Sequence, residues 1–592
     1  MPRFSFLIVL LVSCAPSVPS TELYDGPWPA SDDVRDDGTV DLGRFPSGTQ
    51  APLRREVGLS LAETRGFGRT SGVFFPFAVA LDPASLPTVE ASSLDEASVF
   101  LMALDSGERA VVDVRFIEDA GPFGGTHLLA LLPFPGMPLL PDTEYAAVVT
   151  TRVSDLAGAP LPAASLHNSD MHAVRAAGIE PTSVAALTRY RTGDPTRGLI
   201  EAAADVASRD PLVLEGPPRH VETHDRYCVF EATMEVPVFQ RGTPPYLEQG
   251  GSWVVDADDR LVRQRTARSR VVLTVPRNGD VAPRRAAVFV RAGGGGDRPL
   301  VDRGPRDENG DSVPGSGIAT QLAEAGVIGA SFDGPLGGAR NLGGWDEQVV
   351  LFNLFNAASL RDNIRQSALE HALFAHLVEQ LEFSSDGCPD AAPVTRVRPG
   401  PVLIAHSNGA TIAPLAAAAQ PRYRALVLSG AGSSWIRQVV HKESPAPLRP
   451  IVSLLFGYGP HRETFEHDPM LSLMAWAGEP ADPLVYAPLL RDRERLVFQG
   501  VRDTYIPPPI ANPTALALGL RVEGAALDGA APRGVLRDLA LAALPDDTHV
   551  HALVQLPEDG IEDGHEVFFQ QPAARRRLVR FLRELPVQEA VP

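Results

Sequence analysis

Two hydrophobic rhythms divide the chain. From about residue 55 to 165, short apolar runs (GVFFPFAVALDP, SVFLMAL, AVVDVRFIE, THLLALLPF, TEYAAVVTTRV) are separated by turn-forming segments. Short strands at this spacing predict an antiparallel sandwich. Residues 166 to 215 read as helical and loop connectors, and residues 221 to 276 are strand-rich again (YCVFEATMEVPVFQ, SWVVDA, SRVVLTVP). From about residue 285 the rhythm changes. The runs AAVFVRAG, GVIGASFDG, GPVLIAHS, RALVLSG, RLVFQGV and HALVQLP now alternate with helical stretches such as SGIATQLAEA, RDNIRQSALEHALFAHLVEQL and QPAARRRLVRFLREL. Strands that are apolar almost throughout, each followed by a helix, predict a mostly parallel sheet flanked by helices.

The first residues, MPRFSFLIVLLVSCAPSVPS, obey neither rhythm. Arg3 precedes an apolar stretch, Phe4 to Val12, that is too short to span a bilayer. Leu11-Val12-Ser13-Cys14 resembles the lipobox of bacterial lipoproteins. That resemblance implies export, removal of residues 1–13, and a lipid anchor on Cys14 that holds the protein at an outer membrane or cell surface. An ordinary cleaved signal with an incidental cysteine is the alternative. The Pro-, Ser- and Asp-rich residues 14–50 then read as a tether and entry segment.

Composition narrows the function classes. At 592 residues, 44% hydrophobic and 21% charged, the chain is globular and long enough for more than one core. A net charge of −20 argues against a nucleic-acid partner. The basic run Arg575-Arg576-Arg577 with Arg580 and Arg583 reads as the solvated face of an amphipathic helix. Beyond Cys14 there are only Cys228 and Cys388, which could pair in an oxidising compartment. No C-x-x-C or H-E-x-x-H spacing calls for a metal, and no cofactor is implied. Asp307-Glu308-Asn309-Gly310-Asp311 has a calcium-loop look, but Ile318 stands where a bidentate Glu would be needed, so a polar loop is expected.

In an α/β sheet the chemistry sits beyond the carboxyl ends of the strands. After GPVLI comes Ala405-His406-Ser407-Asn408-Gly409, then a helix. A nucleophile elbow needs small residues two before and two after its serine, because strand and helix backbones approach closely there. Ala405 and Gly409 fill those places. After RLVFQGV comes Asp503, and beyond HALVQLP comes His565, so the chain order is serine, acid, histidine. The expected roles are nucleophile for Ser407, base for His565, and orienting acid for Asp503. Asp559 and Asp563 are rival acids, and His549 and His551 rival bases, although both histidines precede or begin the last strand. An acyl-transfer site also needs two N–H groups for its oxyanion. Asn408 and, in the loop Gly293 to Gly296, Gly294 are the candidates.

These features together resemble the bacterial lipase-like α/β-hydrolases that carry a virulence-factor-lipase-type N-terminal β module. The resemblance is carried by PWPASDDVRDDGTVDL, GFGRTSGVFFPFAVALDPASL, LLPDTEYAAVVTTRVSDLAGAPL, VPVFQRGTPPYLEQGG, DGPLGGAR, FNLFNAASLRDNIRQ and the elbow. It implies an α/β-hydrolase fold preceded by an all-β Ig-like sandwich. The expected divisions are the sandwich at 51–165, a helical connector and strand-rich linker packing on the hydrolase at 166–284, and the hydrolase domain at 285–592 with a cap at 431–490. The implied activity is an exported carboxylesterase or lipase acting on a small-molecule or lipid ester. An amide or peptide hydrolase, or a surface-anchored binding protein with a weakened site, are the alternatives. Three positions depart from the family pattern: Ala292 replaces the His of His-Gly-x-Gly-Gly, Gly337 replaces the His of Asp-x-Pro-x-His-Gly-x-Arg, and Ala405 replaces the first elbow glycine.

Overall fold

The computed structural model describes residues 26–45, 52–292, 298–529 and 551–586. The leader at 1–13, the anchor at Cys14 and the candidate donor Gly294 lie outside them.

Among the described residues, seven strands build the N-terminal unit: β1 (Val73–Pro76), β2 (Val99–Ala103), β3 (Arg109–Ala110), β4 (Val112–Asp119), β5 (Thr126–Pro133), β6 (Glu144–Thr150) and β7 (Val184–Arg191). They form a three-stranded sheet, β1-β5-β4, and a four-stranded sheet, β3-β2-β6-β7, antiparallel throughout. Strand alternation decides which face is which. Val99, Leu101 and Ala103 with Tyr145, Ala147 and Val149 turn to the core shared with β1 and β5, while Phe100, Met102, Ala146 and Val148 form a smaller cluster behind. The entry segment is not wholly a tether, because Trp28 is buried there, edge-on to Phe45 and Phe67, and bridges Phe74 through the backbone.

Among the described residues, ten further strands make one large sheet. They are β8 (Arg219–Thr223), β9 (Tyr227–Val238), β10 (Arg265–Pro276), β11 (Ala286–Val290), β12 (Ile328–Phe332), β15 (Val402–His406), β16 (Ala425–Ser429), β17 (Glu494–Gly500), β18 (Arg521–Val522) and β19 (His551–Leu556). A separate ribbon pairs β13 (Glu382–Ser384) with β14 (Val394–Arg396). The order is β18-β19-β17-β16-β15-β11-β12-β10-β9-β8, parallel from β18 to β12 and antiparallel beyond. Strands β11, β12, β15, β16 and β17 are buried along their whole length, as their unbroken apolar runs require. The apolar helix Asn408–Ala419 and the long helix Ala357–Glu379 cover one face, and helix Pro572–Glu584 lies on the other with Leu578, Phe581 and Leu582 inward. The basic face of that last helix is partly paired: Arg577 and Arg580 reach Glu523.

Three expected divisions change. Strand β7 pairs with β6, so the N-terminal unit runs past residue 165 to Arg191. The strands of 219–276 are not a linker packed on the large domain; β10 pairs with β12 and makes them part of its sheet. The segment expected as a cap is no separate lid either. Its Ile436, Val439, Val452, Phe456, Met470 and Trp476 share one core with Phe67, Phe74 and Leu129 of the N-terminal unit. Apolar side chains on both sides are buried by being joined.

Cys228, at the start of β9, and Cys388, in the loop of the β13–β14 ribbon, form a disulfide. Asp307 caps its own turn by accepting from the N–H groups of Asn309 and Asp311, a polar loop. No group of metal-ligating side chains occurs among the described residues, nor a helix long and apolar enough to cross a membrane.

Candidate active site

Ser407 stands at the carboxyl end of β15, between the strand and helix Asn408–Ala419, with φ 55° and ψ −122°. A non-glycine residue holds that conformation only where its surroundings over-determine it. The surroundings are visible. The Ser407 N–H donates to the Ser429 carbonyl of β16, and its own carbonyl accepts from Ala410. A Cβ on Gly409 would stand 3.0 Å from the Val290 carbonyl of β11, so the helix needs a small residue to start here. The methyl of Ala405, by contrast, is fully buried without distorting the turn.

Asp503 and His565 come from the ends of the next two strands beyond β16. His565 Nε2 lies 2.7 Å from Ser407 Oγ, and His565 Nδ1 lies 2.8 Å from Asp503 Oδ2. The other oxygen of Asp503 accepts from the N–H groups of Tyr505 and Ile506, at 2.8 and 2.7 Å, which fixes the carboxylate plane. The acid and the histidine are both buried, 4% exposed each, so this chain of bonds is shielded from water. The Tyr505 ring stacks on His565 at 4.8 Å. Burial, then the neighbouring carboxylates, raise the Tyr505 hydroxyl above its ordinary range. Gly430, at φ 52°, lies against the imidazole: a Cβ there would come within 2.6 Å of His565 Cε1.

The rival acids are engaged elsewhere. Asp563 accepts from the N–H groups of Thr504 and His565 and from the Thr504 hydroxyl, clasping the two loops together. Asp559 caps the turn at Ile561 and Glu562 and accepts from Gln570. His551 opens β19 at the far end from the site, and His549 lies outside the described residues.

For the oxyanion, Asn408 opens its helix, so its N–H has no intrahelical acceptor and stands beside Ser407. The glycine loop leaves β11 at Arg291 and Ala292, and re-enters at Arg298. Arg291 is packed against Gly337. Its guanidinium pairs with Asp333 and Glu347, and a Cβ at Gly337 would stand 2.6 Å from its Nη1. A side chain at position 337 would thus have to displace Arg291.

Several residues near the site escaped the sequence reading. Lys442, after helix Trp435–His441, donates to the Tyr505 carbonyl at 2.8 Å, and burial lowers its ammonium to about 8 against the opposing pull of Asp503. Behind the histidine, Arg303, Glu566 and His406 form a buried polar group. Burial, then the Arg303 cation, pushes the His406 imidazole down to about 3. Burial opposes the Glu566 charge, yet His406 and Arg303 hold its carboxyl well below the usual carboxylate range. Glu566 adjoins His565 in the chain, a signal that was there to be followed; Arg303 carries none.

No family model matches the chain, and no curated protein does. Solved structures do. An acetyl xylan esterase from Thermoanaerobacterium sp. aligns over 67% of this chain and 94% of its own, at 14% identity and a TM-score of 0.37. A glucuronoyl esterase from Teredinibacter turnerae aligns over 63% and 78%, at 11% identity and TM-score 0.33. A peroxisomal alpha-beta-hydrolase from Saccharomyces cerevisiae aligns over 62% and 93%, at 12% identity and TM-score 0.31. The architecture of the large domain is read from its own topology. The mostly parallel sheet flanked by helices, with a strand-to-helix serine and then an acid and a histidine at later strand ends, is the α/β-hydrolase architecture on its own terms.

Proposed function

We propose that this protein is an exported serine carboxylic ester hydrolase, an esterase or lipase, anchored by a lipid on Cys14. The observation that carries the catalytic part is the continuous chain Ser407 Oγ–His565 Nε2, His565 Nδ1–Asp503 Oδ2 at the carboxyl edge of the sheet. His565 takes the Ser407 proton as Oγ attacks the ester carbonyl, and Asp503 holds the imidazole in the tautomer that can accept it. The oxyanion then meets the Asn408 N–H and an N–H of the glycine loop, for which Gly294 is our choice. His565 returns the proton to the leaving alcohol, the acyl group remains on Ser407, and water activated by the same imidazole releases the acid.

The test is direct. A fluorophosphonate probe should label the wild-type protein and not Ser407→Ala, and short or long p-nitrophenyl esters should be cleaved with the same dependence. Absence of Ser407-dependent labelling together with absence of ester cleavage overturns the reading and leaves a surface-anchored binding protein. Incorporation of labelled palmitate that is lost in Cys14→Ala tests the anchor separately.

A further inference from the structure

Arg303 follows the short helix Pro299–Asp302, on the downstream side of the glycine loop from β11. Its Nη2 serves two acceptors at once: Glu566 Oε1 at 2.6 Å and His406 Nε2 at 3.1 Å. Glu566 directly follows His565, and His406 directly precedes Ser407. One cation therefore bridges the residue beside the base to the residue beside the nucleophile, from a third loop. The guanidinium lies 4.6 Å above the Phe569 ring, and the His406 ring stands edge-on to that same ring. His406 and His565 are in ring contact, with centroids 4.7 Å apart.

The proton position on His406 follows from this geometry. Arg303 has only N–H groups to offer, so His406 Nε2 must present its lone pair, and the ring proton sits on Nδ1. That Nδ1 is buried with no hydrogen-bond partner. Protonating His406 would set two cations 3.1 Å apart in a buried place, at a large electrostatic cost. The charged and titratable groups facing His406 are Arg303, Glu566 and His565. Of these, only Glu566 would favour an imidazolium, and its oxygen stands 3.8 Å away, already committed to Arg303. Positive charge developing on His565 during acyl transfer thus meets a neutral ring at His406 and the carboxylates of Asp503 and Glu566, rather than a second imidazolium.

We propose that Arg303 is a positioning residue for acyl transfer: by bonding Glu566 and His406 together it fixes the His565 turn against the elbow and keeps His406 a neutral neighbour of the base. The proposal rests on the serine-hydrolase reading above and deepens it.

The experiment compares the full-length wild type with Arg303→Gln, Arg303→Lys and Glu566→Gln. One readout is histidine NMR titration with ¹³C-labelled imidazoles, the His406 resonance being assigned by its loss in His406→Gln. The other is kcat and KM on p-nitrophenyl acetate. In the wild type His406 should stay uncharged from about pH 8 down to about 5. In Arg303→Gln it should titrate at a higher pH than in the wild type, because the guanidinium no longer opposes the imidazolium and Glu566 is released to favour it, while burial still holds the ring below the ordinary histidine range. The kcat of that variant should fall about ten- to a hundredfold, with KM held within about twofold. Glu566→Gln should leave His406 uncharged and still lower kcat. Arg303→Lys should keep His406 neutral but recover only part of kcat, since one ammonium does not reproduce the planar fork. A folded Arg303→Gln protein with the wild-type His406 titration and kcat within about twofold of wild type overturns the proposal. Should that variant not fold, Arg303→Lys decides: wild-type kcat there overturns it equally. If the wild type shows no Ser407-dependent labelling, the hydrolase reading fails, while the His406 titrations still report whether Arg303 governs that ring.

Discussion

The backbones of Gly500 and Gly564 pass so close that a Cβ on Gly500 would stand 1.9 Å from the Gly564 carbonyl oxygen. In the other direction, a Cβ on Gly564 would stand 2.6 Å from the Arg502 carbonyl carbon. This approach, at the carboxyl ends of β17 and β19, is what lets Asp503 reach His565. Gly500→Ala should therefore push the two loops apart and lengthen that hydrogen bond. We expect a stability loss of about 1–3 kcal/mol from the forced shift. The fall in kcat should be larger than that loss alone would produce, about a hundredfold, because misplacement of a catalytic group by an ångström has that scale. Thermal unfolding beside steady-state kinetics checks it; an unchanged kcat in the folded variant would show that the close approach has no part in the site.

The two aspartates of the site separate by their bonds. Asp503→Asn preserves shape but removes the charge and presents a donor where His565 Nδ1 needs an acceptor. On the hydrolase reading kcat should fall roughly 10³- to 10⁴-fold with the fold retained. Asp563 touches only backbone N–H groups and the Thr504 hydroxyl, so Asp563→Asn still offers one acceptor and should cost about tenfold or less. Parallel kinetics on the two variants decide which carboxylate is the acid. An Asp503→Asn enzyme close to wild type would reverse the assignment.

How far this was legible in the chain depends on the range of the interactions involved. Ser407, Asp503 and His565 each stand just past an apolar run, in a fixed order, and strand ends are readable from local pattern. The cluster behind His565 is not local: Arg303 meets Glu566 and His406 from 263 and 103 residues away, and nothing near it in the chain sets it apart from any arginine in a polar loop. Strands β8 to β10 read as a linker packing on the hydrolase because the pattern of antiparallel strands at a sheet end is broken by exposed and half-buried positions. The alternation of exposed and half-buried residues along β8 looks unlike the unbroken apolar strands at the centre of the same sheet. The merger of segment 431–490 with the N-terminal unit was equally hidden, since an apolar helix face does not say which apolar face it will meet.

The disulfide offers a test of stability apart from chemistry. Cys228 pairs with Val275 across the β9–β10 hairpin, and Thr274 is opposite Gly329 near the start of β12, so the bridge sits at the amino edge of the parallel strands. Ser407 is at the carboxyl edge. Because the bridge spans 160 residues, its removal in Cys228→Ala/Cys388→Ser should cost about 2–5 kcal/mol of stability. Activity at room temperature should be unchanged. A matching drop in Tm on adding reductant to the wild type, with no further drop in the double variant, is the expected result; loss of activity in the folded variant would contradict the placement.

The seam between the N-terminal unit and segment 431–490 carries a buried carboxyl. Glu479 accepts from the Thr70 N–H and hydroxyl, both at 2.7 Å, and is 1% exposed. Burial raises it to about 7, against the bonds from Thr70 and the nearby Arg69 cation. In the unfolded chain it titrates near its ordinary 4.5. Between those values the native state holds a proton that the unfolded state has released, so the contribution of Glu479 to stability declines as pH rises through the window and levels off above about 7. At about 1.4 kcal/mol per pH unit, the whole loss is at most about 3 kcal/mol. Asp468 and Asp482, both raised to about 6 by burial, act in the same direction. His371, lowered to about 4, and His406, lowered to about 3, act oppositely below the ordinary histidine range. The wild-type profile mixes these terms, so the measurement is a difference. Glu479→Gln keeps an acceptor for Thr70 but cannot ionise; near pH 4 it should match the wild type, and near pH 8 it should be the more stable protein by up to about 3 kcal/mol. Thermal unfolding of both proteins across that range is decisive, since a gap that does not widen with pH would mean that Glu479 is not protonated in the native seam.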